Sequence, residues 1–359
     1  MLTNLIAQDG DHFDYVTPLN EPQTAGGVGS YQEGNHISTD QQARICNDLR
    51  IALNQAGLTN VGVAESEDTS ESDELISLDG YNSYGYTPPP LTNVGLVAVH
   101  TYGNTDPTDV YNLSVEMQTP LWMTEYGNTD TSGRILSRRI HDDMTQLRPN
   151  AWICWQLVKD DSHSSYGLMY NPLVAPTNPS FTTSSTIHES FYVVGQFSEF
   201  VSPGSIILSL GDDYTVAAYN PTNQNLVLVT INDTTAAFTE GFNLTAFTNL
   251  PPQAAASRTS FTENMNPLPN VAVNNGILVN TYPADSVTTL VLTNVSAPPL
   301  AVQNLGGGRM QLTWGFGILQ VSANVGGPYQ SVANATSPYI FTPSGTQQYF
   351  IANPYQRGL

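Results

Sequence analysis

The first 157 residues alternate short apolar runs with amphipathic stretches, and this alternation constrains the fold more than any other feature. In the amphipathic stretch 39–55, for example, Ile45, Leu49 and Leu53 recur at helical spacing until Gly57 ends the pattern. Strand and helix signals in strict succession predict a parallel α/β sheet. The five predicted strands are residues 13–19, 60–64, 96–100, 121–125 and 151–157.

Each predicted strand is followed by a polar loop that carries aromatic or ionisable side chains. A TIM (β/α)8 barrel presents its chemistry in this way, because its active site lies at the carboxyl ends of the strands. A complete barrel has eight strands, whereas this sequence predicts five. We therefore expect a partial, N-terminally truncated TIM barrel (about strands 4 to 8), with the missing strands preceding Phe13 and an open sheet edge.

The pattern changes near Ile187. Runs rich in Val, Thr, Leu and Tyr then alternate apolar and polar residues between turns such as Gly211-Asp212-Asp213, which predicts a β-sandwich. The segment Ala297-Pro298-Pro299 reads as a linker before a small Gly-rich β module. The predicted domains are a partial catalytic barrel at 1–186, a side β-sandwich at 187–296 that begins with the last barrel helix, and a C-terminal β-rich module at 297–359.

The charge of the chain limits its partners. Ten basic and 31 acidic residues leave a formal net charge of −21, which argues against nucleic acid or an anionic membrane and leaves neutral polysaccharide as a candidate. No apolar stretch reaches the length of a transmembrane helix, and residues 1–10 lack the basic region of a signal peptide. Abundant Asn, Thr, Ser and Gly with few Lys residues are typical of extracellular carbohydrate-active proteins, so we expect a secreted monomer.

The cysteines and histidines do not show the spacing of a metal-binding motif. Cys46 and Cys154 are read as free core thiols, and the six histidines are scattered without ligand spacing, so we predict no metal and no cofactor. The acidic residues between Glu65 and Glu74 are interpreted as a solvated loop. Calcium binding is the weaker alternative, because the spacing of an EF-hand loop is missing.

Two apolar runs end in a carboxylate, and they carry the functional hypothesis. One ends in Asn20-Glu21-Pro22 and the other, Leu121 to Gly127, contains Glu125. Retaining glycosidases need two carboxyl groups roughly 5 to 5.5 Å apart, and the ends of barrel strands can supply that geometry. We predict that these glutamates are the acid/base and the nucleophile; an ordinary surface turn is the alternative for the Asn-Glu-Pro match.

Further candidate substrate-binding residues lie at other strand ends. Alternation along the third predicted strand places His100 and Tyr102 on the face that points into the barrel. Tyr102 can then hydrogen-bond the nucleophile and hold it ionised, whereas His100 can bond a sugar hydroxyl, with a purely structural histidine as the alternative. Asn20 offers an amide for a sugar hydroxyl.

Strand alternation also sorts the tryptophans. Trp155, near the end of the fifth predicted strand, is the expected stacking platform for a sugar ring, and Trp152 on the opposite face is expected in the core. Trp122 is predicted to lie on the face opposite Glu125, between strand and helix.

Taken together, these motifs resemble glycoside hydrolase family 30. The resemblance implies a retaining barrel enzyme with the acid/base and nucleophile on strands four and seven, and hence Glu21 as acid/base, Glu125 as nucleophile and Asn20 as a partner for the sugar 2-hydroxyl. The Gln-Glu-Gly motif looks most like the endo-β-1,6-galactanase side of the family. The matching motifs are Pro18 to Gln23, Gln32-Glu33-Gly34, His100-Thr101-Tyr102, Trp122 to Gly127 and Phe191 to Gly204.

The sequence therefore predicts a retaining glycoside hydrolase that cleaves β-linked polysaccharide, with β-1,6-galactan or a related glycan as the expected substrate. A different class remains open, namely a non-catalytic carbohydrate-binding or structural fragment of such an enzyme, inactive because the first barrel strands are missing. Residues 305–359 fall outside the resemblance.

Overall fold

A five-stranded parallel sheet, with its strands side by side in chain order, dominates the first part of the protein in a computed structural model. Its strands are β1 (Tyr15–Val16), β2 (Gly62–Asp68), β3 (Val94–His100), β4 (Leu121–Tyr126) and β5 (Ala151–Cys154). The helices are α1 (Thr39–Gln55), α2 (Glu71–Asn82), α3 (Thr108–Glu116), α4 (Arg134–Asp142), a π-helical turn (Asp143–Leu147) and α5 (Glu189–Ser198). A small sheet joins β6 (Val158–Lys159), β7 (Met169–Tyr170) and β8 (Thr186–Ile187).

The structure describes most, but not all, of the chain, and the Gln32-Glu33-Gly34 motif lies outside the described residues. Two structural units are distinguished, residues 1–129 with 142–187 and residues 130–141 with 188–359, and the division into three domains stays a prediction. The described ranges are 12–23, 36–82, 93–103, 106–159, 166–170, 186–208, 210–297, 299–315, 317–333, 335–344 and 347–353.

Apolar side chains cover the parallel sheet on both faces, as expected for parallel strands. On the helix side, Leu53 and Cys46 of α1 pack against Val63 of β2, which explains the helical spacing seen in the sequence. On the other face, Ala64, Leu96 and Ala98 form a second cluster with Tyr15 and Trp122 packed against it. The sheet is therefore buried from both sides, and its strand ends are held in fixed positions.

The prediction for Trp122 was wrong. Trp122 packs on the Leu96 and Ala98 face, edge-on to Tyr15 with ring centroids 5.3 Å apart, and not between strand and helix. The register explains the error: Val99 pairs with Met123 but His100 pairs with Glu125, so β4 carries one extra residue at Thr124. Such a bulge interrupts the strict alternation on which the prediction depended.

The solvated acidic loop was also predicted wrongly. Strand β2 continues through Glu65 to Asp68, and α2 begins at Glu71. The side chains of Glu65, Asp68, Glu71 and Glu74 are all 0% exposed. A carboxyl group can be buried in this way when it is hydrogen-bonded or holds a proton, neither of which is visible in a run of acidic letters.

Antiparallel strands make up the described part of residues 206–292. They lie in the order β12-β15-β14-β13-β16-β11-β10-β9. One hydrophobic cluster joins the two ends of this order, because it contains side chains from β12 and β15 and also from β16, β11 and β10. The bounds are β9 (Ile206–Leu208), β10 (Thr215–Asn220), β11 (Asn225–Asn232), β12 (Phe238–Asn243), β13 (Gln253–Ser260), β14 (Glu263–Asn274), β15 (Ile277–Tyr282) and β16 (Ser286–Leu292).

The C-terminal residues form two further three-stranded sheets, β17-β18-β21 and β20-β19-β22. Leu312, Trp314 and Leu319 form their shared core. Among the described residues, none of the helices is both long enough and apolar enough to cross a membrane. The bounds are β17 (Ala301–Gly306), β18 (Arg309–Thr313), β19 (Ile318–Ser322), β20 (Gln330–Ser331), β21 (Tyr339–Phe341) and β22 (Tyr349–Asn353).

Candidate active site

Glu21 lies in a tight turn shortly after β1 and is only 1% exposed. Its backbone has a φ of +47°, a left-handed conformation that is uncommon for residues other than glycine. The Glu21 N–H donates a hydrogen bond of 2.8 Å to the carbonyl oxygen of Glu67 in β2. The neighbouring strand therefore holds this turn in a conformation that the local sequence does not favour.

His100, the last residue of β3, connects three carboxyl groups. Its Nδ1 atom lies 3.2 Å from Glu21 Oε1, and its Nε2 atom lies 3.5 Å from Glu67 Oε2 and 3.9 Å from Glu125 Oε2. Burial on its own lowers the pKa of His100, but the hydrogen bonds to Glu21 and Glu67 and the charge of Glu125 raise that pKa to about 9. The imidazole is therefore a cation at neutral pH, and it faces the carboxyl groups of Glu21, Glu67 and Glu125.

Glu125 receives a hydrogen bond from Tyr102. The Tyr102 hydroxyl donates to Glu125 Oε1 over 3.0 Å, and the Tyr102 ring packs against Tyr126 with centroids 5.3 Å apart. Burial raises the pKa of Glu125, as do the charges of Glu21 and Glu67, whereas the charge of His100 and the Tyr102 hydrogen bond oppose that rise. Tyr102 and His100 thus favour the ionised carboxylate.

Glu67 is the residue of this group that sequence reasoning missed. Its backbone φ is +60°, its carbonyl holds the Glu21 turn, and its carboxylate accepts a hydrogen bond from the Thr124 hydroxyl. The signal for it was its place near the end of the strand before His100, but neighbouring acidic residues made the stretch look like a solvated loop. Thr124, which the bulge in β4 displaces, could not have been placed from alternation alone.

The remaining predicted residues differ in their surroundings. Asn20 is exposed next to Glu21, and Trp155 is 47% exposed, directly after β5. Trp152, expected in the core, is half-buried and donates its indole N–H to Asp143 over 2.8 Å, in the π-helical turn. Cys46 is buried, Cys154 is half-buried, and both are free thiols.

Glu21, His100 and Glu125 each offer an atom that could bind a metal ion, and these three atoms lie within 4.8 Å of one another. A protonated imidazole has no lone pair to give to a metal. With the His100 pKa at about 9, the group is suited to ion pairing and proton exchange near neutral pH. The same distance places an oxygen of Glu21 close to an oxygen of Glu125, near the separation that retaining glycosidases require.

Gly127 is expected to tolerate no side chain. A Cβ atom there would lie 1.8 Å from the carbonyl oxygen of Trp155, whose own N–H donates to Tyr126, so the backbone after β5 would have to shift. We expect Gly127→Ala to lower the free energy of unfolding by about 1–3 kcal/mol, measured by chemical denaturation. Gly211→Ala is the control, because a Cβ at Gly211 meets nothing within 4 Å. Equal midpoints for the two variants would contradict this expectation.

The His100 imidazolium is expected to stabilise the fold in a defined pH window. Its folded pKa of about 9 exceeds the ordinary value of 6.5, so its contribution is complete below pH 6.5 and is lost as the pH rises through 9. The contribution is on the order of 3 kcal/mol. Urea unfolding of the wild type and His100→Gln across this range should show a difference that shrinks with pH. A difference independent of pH would argue against a charged His100.

Comparison with known proteins gives two curated relatives and a set of similar structures. The endo-β-1,6-galactanase of Hypocrea rufa is 30% identical over 246 residues, covering 64% of this chain and 48% of the relative. Glucuronoxylanase XynC of Bacillus subtilis strain 168 is 27% identical over 225 residues, covering 57% of this chain and 47% of the relative. The chain thus spans about half the length of the curated relatives it matches. No family model matches it.

Among solved structures, a family 30 endoxylanase from Clostridium papyrosolvens C71 superposes with a TM-score of 0.62 and 25% identity, over 80% of this chain and 67% of that one. The fold is similar to that of these neighbours: they combine a (β/α)8 barrel with a β domain, and this chain has a curled parallel half-barrel sheet and a separate antiparallel sheet. These similarities support a relationship between this chain and glycoside hydrolase family 30.

Proposed function

We propose that the protein is a retaining glycoside hydrolase that cleaves a β-linked polysaccharide by double displacement. The observation that carries this proposal is that one carboxyl oxygen of Glu21 lies within 4.8 Å of one carboxyl oxygen of Glu125. That separation leaves room for a covalent glycosyl intermediate but little for a water molecule between carboxyl group and sugar, as an inverting enzyme requires.

In the first step, Glu125 attacks the anomeric carbon while Glu21, in its protonated form, donates its proton to the leaving oxygen, so that the bond from the anomeric carbon to that oxygen breaks. In the second step, Glu21 removes a proton from a water molecule that attacks the anomeric carbon and releases Glu125. His100 holds a proton within hydrogen-bonding distance of Glu21 before the substrate binds. Tyr102 keeps Glu125 oriented and favours its ionised form.

The substrate class follows from the relatives and the exposed residues. One relative is named endo-β-1,6-galactanase and another glucuronoxylanase, so β-1,6-galactan is the first substrate to test and glucuronoxylan the second. Asn20 would bond the sugar 2-hydroxyl, and the exposed ring of Trp155 would stack on a sugar face. We further propose that the protein acts outside the cell as a monomer.

Trapping the covalent intermediate tests the proposal. The protein is incubated with 2-deoxy-2-fluoro-β-galactosyl fluoride and with the xylobiosyl analogue, digested, and the label is mapped by mass spectrometry. We expect the label on Glu125 in the wild type and none in Glu125→Gln. A label on any other carboxylate would overturn the assignment of the nucleophile.

The alternative is a non-catalytic carbohydrate-binding protein. It would be supported if the wild type and Glu125→Gln both bind β-1,6-galactan in affinity electrophoresis, but neither releases sugar from it. The retaining hydrolase proposal would then have to be abandoned for this chain.

A further inference from the structure

Strand β2 and helix α2 contain a connected set of buried polar side chains that the proposed reaction does not use. We use the name polar chain for four fully buried residues, Ser66, Asp68, Glu74 and Ser77. Ser66 Oγ lies 2.5 Å from Asp68 Oδ2 and 2.9 Å from Glu74 Oε2. The Ser77 hydroxyl donates to Asp68 Oδ2 over 2.5 Å. Two carboxyl groups therefore share one serine hydroxyl.

The number of hydrogens favours a proton on one of these carboxyl groups, even though the backbone N–H of Ser66 also donates to Glu74 Oε2 over 3.4 Å. A serine hydroxyl has a single hydrogen, so Ser66 cannot donate to both Asp68 and Glu74. Asp68 also accepts from Ser77 and from the backbone N–H of Gln23 over 3.2 Å; burial raises the pKa of Asp68, but its hydrogen bonds from Ser66, Ser77 and Gln23 oppose that rise and favour the ionised form. Glu74 Oε1 has no hydrogen-bond partner within the described part of the chain. An ionised Glu74 would leave a buried, charged oxygen unpaired, which is costly.

The charges that face Glu74 agree with this count. Burial raises the pKa of Glu74 well above its ordinary value, and the charges of Asp68 and Glu65 on β2 add to this, while hydrogen bonds from Ser66 oppose it. Glu65 itself has its pKa raised to about 8, mainly by burial. Cys46 of α1 and Tyr81 of α2 also lie within electrostatic range of Glu74. Among the described residues, the groups with the largest effects on the pKa of Glu74 include no basic side chain.

The polar chain ends at the turn that holds Glu21. Asp68 accepts the backbone N–H of Gln23, and the Gln23 side-chain amide donates to Ser77 Oγ over 3.1 Å. The adjacent residue of β2, Glu67, accepts the N–H of Glu21 over 2.8 Å. The end of β2 thus grips the turn at Glu21 and at Gln23, on both sides of Pro22.

We propose that Glu74 carries a proton at neutral pH and, through Ser66, keeps Asp68 as the ionised acceptor that positions Glu21 against His100. Asp68 and Glu74 are positioning residues and not catalytic ones. The placement of Glu21 follows from the contacts above; only its part in catalysis rests on the proposed function.

Two isosteric substitutions should therefore differ in their effect on the Glu21 turn. Glu74→Gln keeps a neutral donor opposite Ser66 and should be silent. Asp68→Asn replaces an acceptor by an N–H₂ group that must face either the Gln23 N–H or the two serine hydroxyls, so the turn should move. Both changes remove one carboxyl group from the same buried chain, which makes Glu74→Gln the matched control.

The position of Glu21 can be measured without catalysis, through the titration of His100 by NMR in protein labelled at histidine, with His100→Gln assigning the signal. We expect a His100 pKa of about 9 in the wild type and in Glu74→Gln. In Asp68→Asn the loss of the Glu21 hydrogen bond should lower it by about one pH unit or more. Ser77→Ala is a milder change that deletes one anchor of the Gln23 side chain, and it should also lower the His100 pKa. It serves as the test variant if Asp68→Asn does not fold.

The proton on Glu74 has its own readout. A carboxyl group with a raised folded pKa contributes stability that is complete below its unfolded pKa and is lost as the pH rises through the folded pKa. From about pH 5 to about pH 8, the wild type should therefore lose more stability than Glu74→Gln. An equal pH dependence of stability in the wild type and Glu74→Gln would overturn the assignment of a proton to Glu74. An unchanged His100 pKa in folded Asp68→Asn and Ser77→Ala would overturn the role of Asp68 in positioning Glu21.

Kinetics then separate this inference from the proposed function. If the wild type hydrolyses a β-glycan, Asp68→Asn should lower kcat at least about 10-fold with KM within about twofold, and Glu74→Gln should leave both unchanged. A wild type that hydrolyses nothing would sink the proposed function, while the titration and the unfolding slopes would still decide this inference.

Discussion

Glu125→Gln is expected to lower the rate of β-glycan hydrolysis by at least about 10³-fold, because the amide cannot form the covalent glycosyl intermediate. The substitution keeps the shape of the side chain, and the Tyr102 hydroxyl can still donate to the remaining oxygen, so the fold should be retained. The measurement is the initial rate of reducing-sugar release from β-1,6-galactan, together with release of an activated aryl leaving group. Both rates should fall by a similar factor.

Glu116→Gln is the matched control for this variant. It makes the same chemical change at an exposed position of α3, in the same structural unit, and should leave the rate unchanged. If Glu125→Gln retained more than a small fraction of the wild-type rate, Glu125 could not be the nucleophile. A loss of the same size in Glu116→Gln would mean that the assay reports protein quality and not chemistry.

Glu21→Gln is expected to slow hydrolysis of the polysaccharide by about 10²–10⁴-fold, the range for loss of a positioned general acid. An activated aryl leaving group needs no proton, so its release in the first step should be affected far less. Azide should then restore turnover, because an anionic nucleophile needs no general base in the second step. The measurement compares both substrates with and without azide.

The contrast between the two variants separates the roles of the two carboxyl groups. An equal loss on both leaving groups, with no effect of azide, would contradict the assignment of Glu21 as acid/base. Removing the Glu21 carboxylate should also lower the pKa of His100, because the hydrogen bond to Glu21 is one of the contacts that raise it. That titration gives a second check in the same protein.

Several parts of this structure could be predicted from the sequence because they depend on neighbours in the chain. The stretch 39–55 was predicted as a helix and is α1, and the predicted strands at 96–100 and 121–125 overlap β3 and β4. Helical and strand periodicity reflect which side of an element is buried, and that pattern is local. The closeness of Glu21, His100, Tyr102 and Glu125 was also anticipated, because parallel strands end at the same edge of a sheet.

Other features could not be predicted because they depend on contacts between distant residues. The extra residue at Thr124 moves Glu125 out of strict alternation with Trp122, and only the pairing of β3 with β4 reveals it. The burial of Asp68 and Glu74 was missed because a carboxyl group looks the same in a sequence whether it is solvated, paired or protonated. Glu67 was missed for the same reason.

The alternation of strands and helices, with Glu125 near the end of one strand and Glu21 shortly after another, could be predicted from the chain alone, since it follows from the spacing of apolar residues. Only folding brings His100 next to Glu21, Glu67 and Glu125, and only the contact with β2 holds the Glu21 turn in a left-handed conformation. Protonation and backbone strain depend on burial and on hydrogen-bond partners. Those partners come from other strands, so they exist only once the chain has folded.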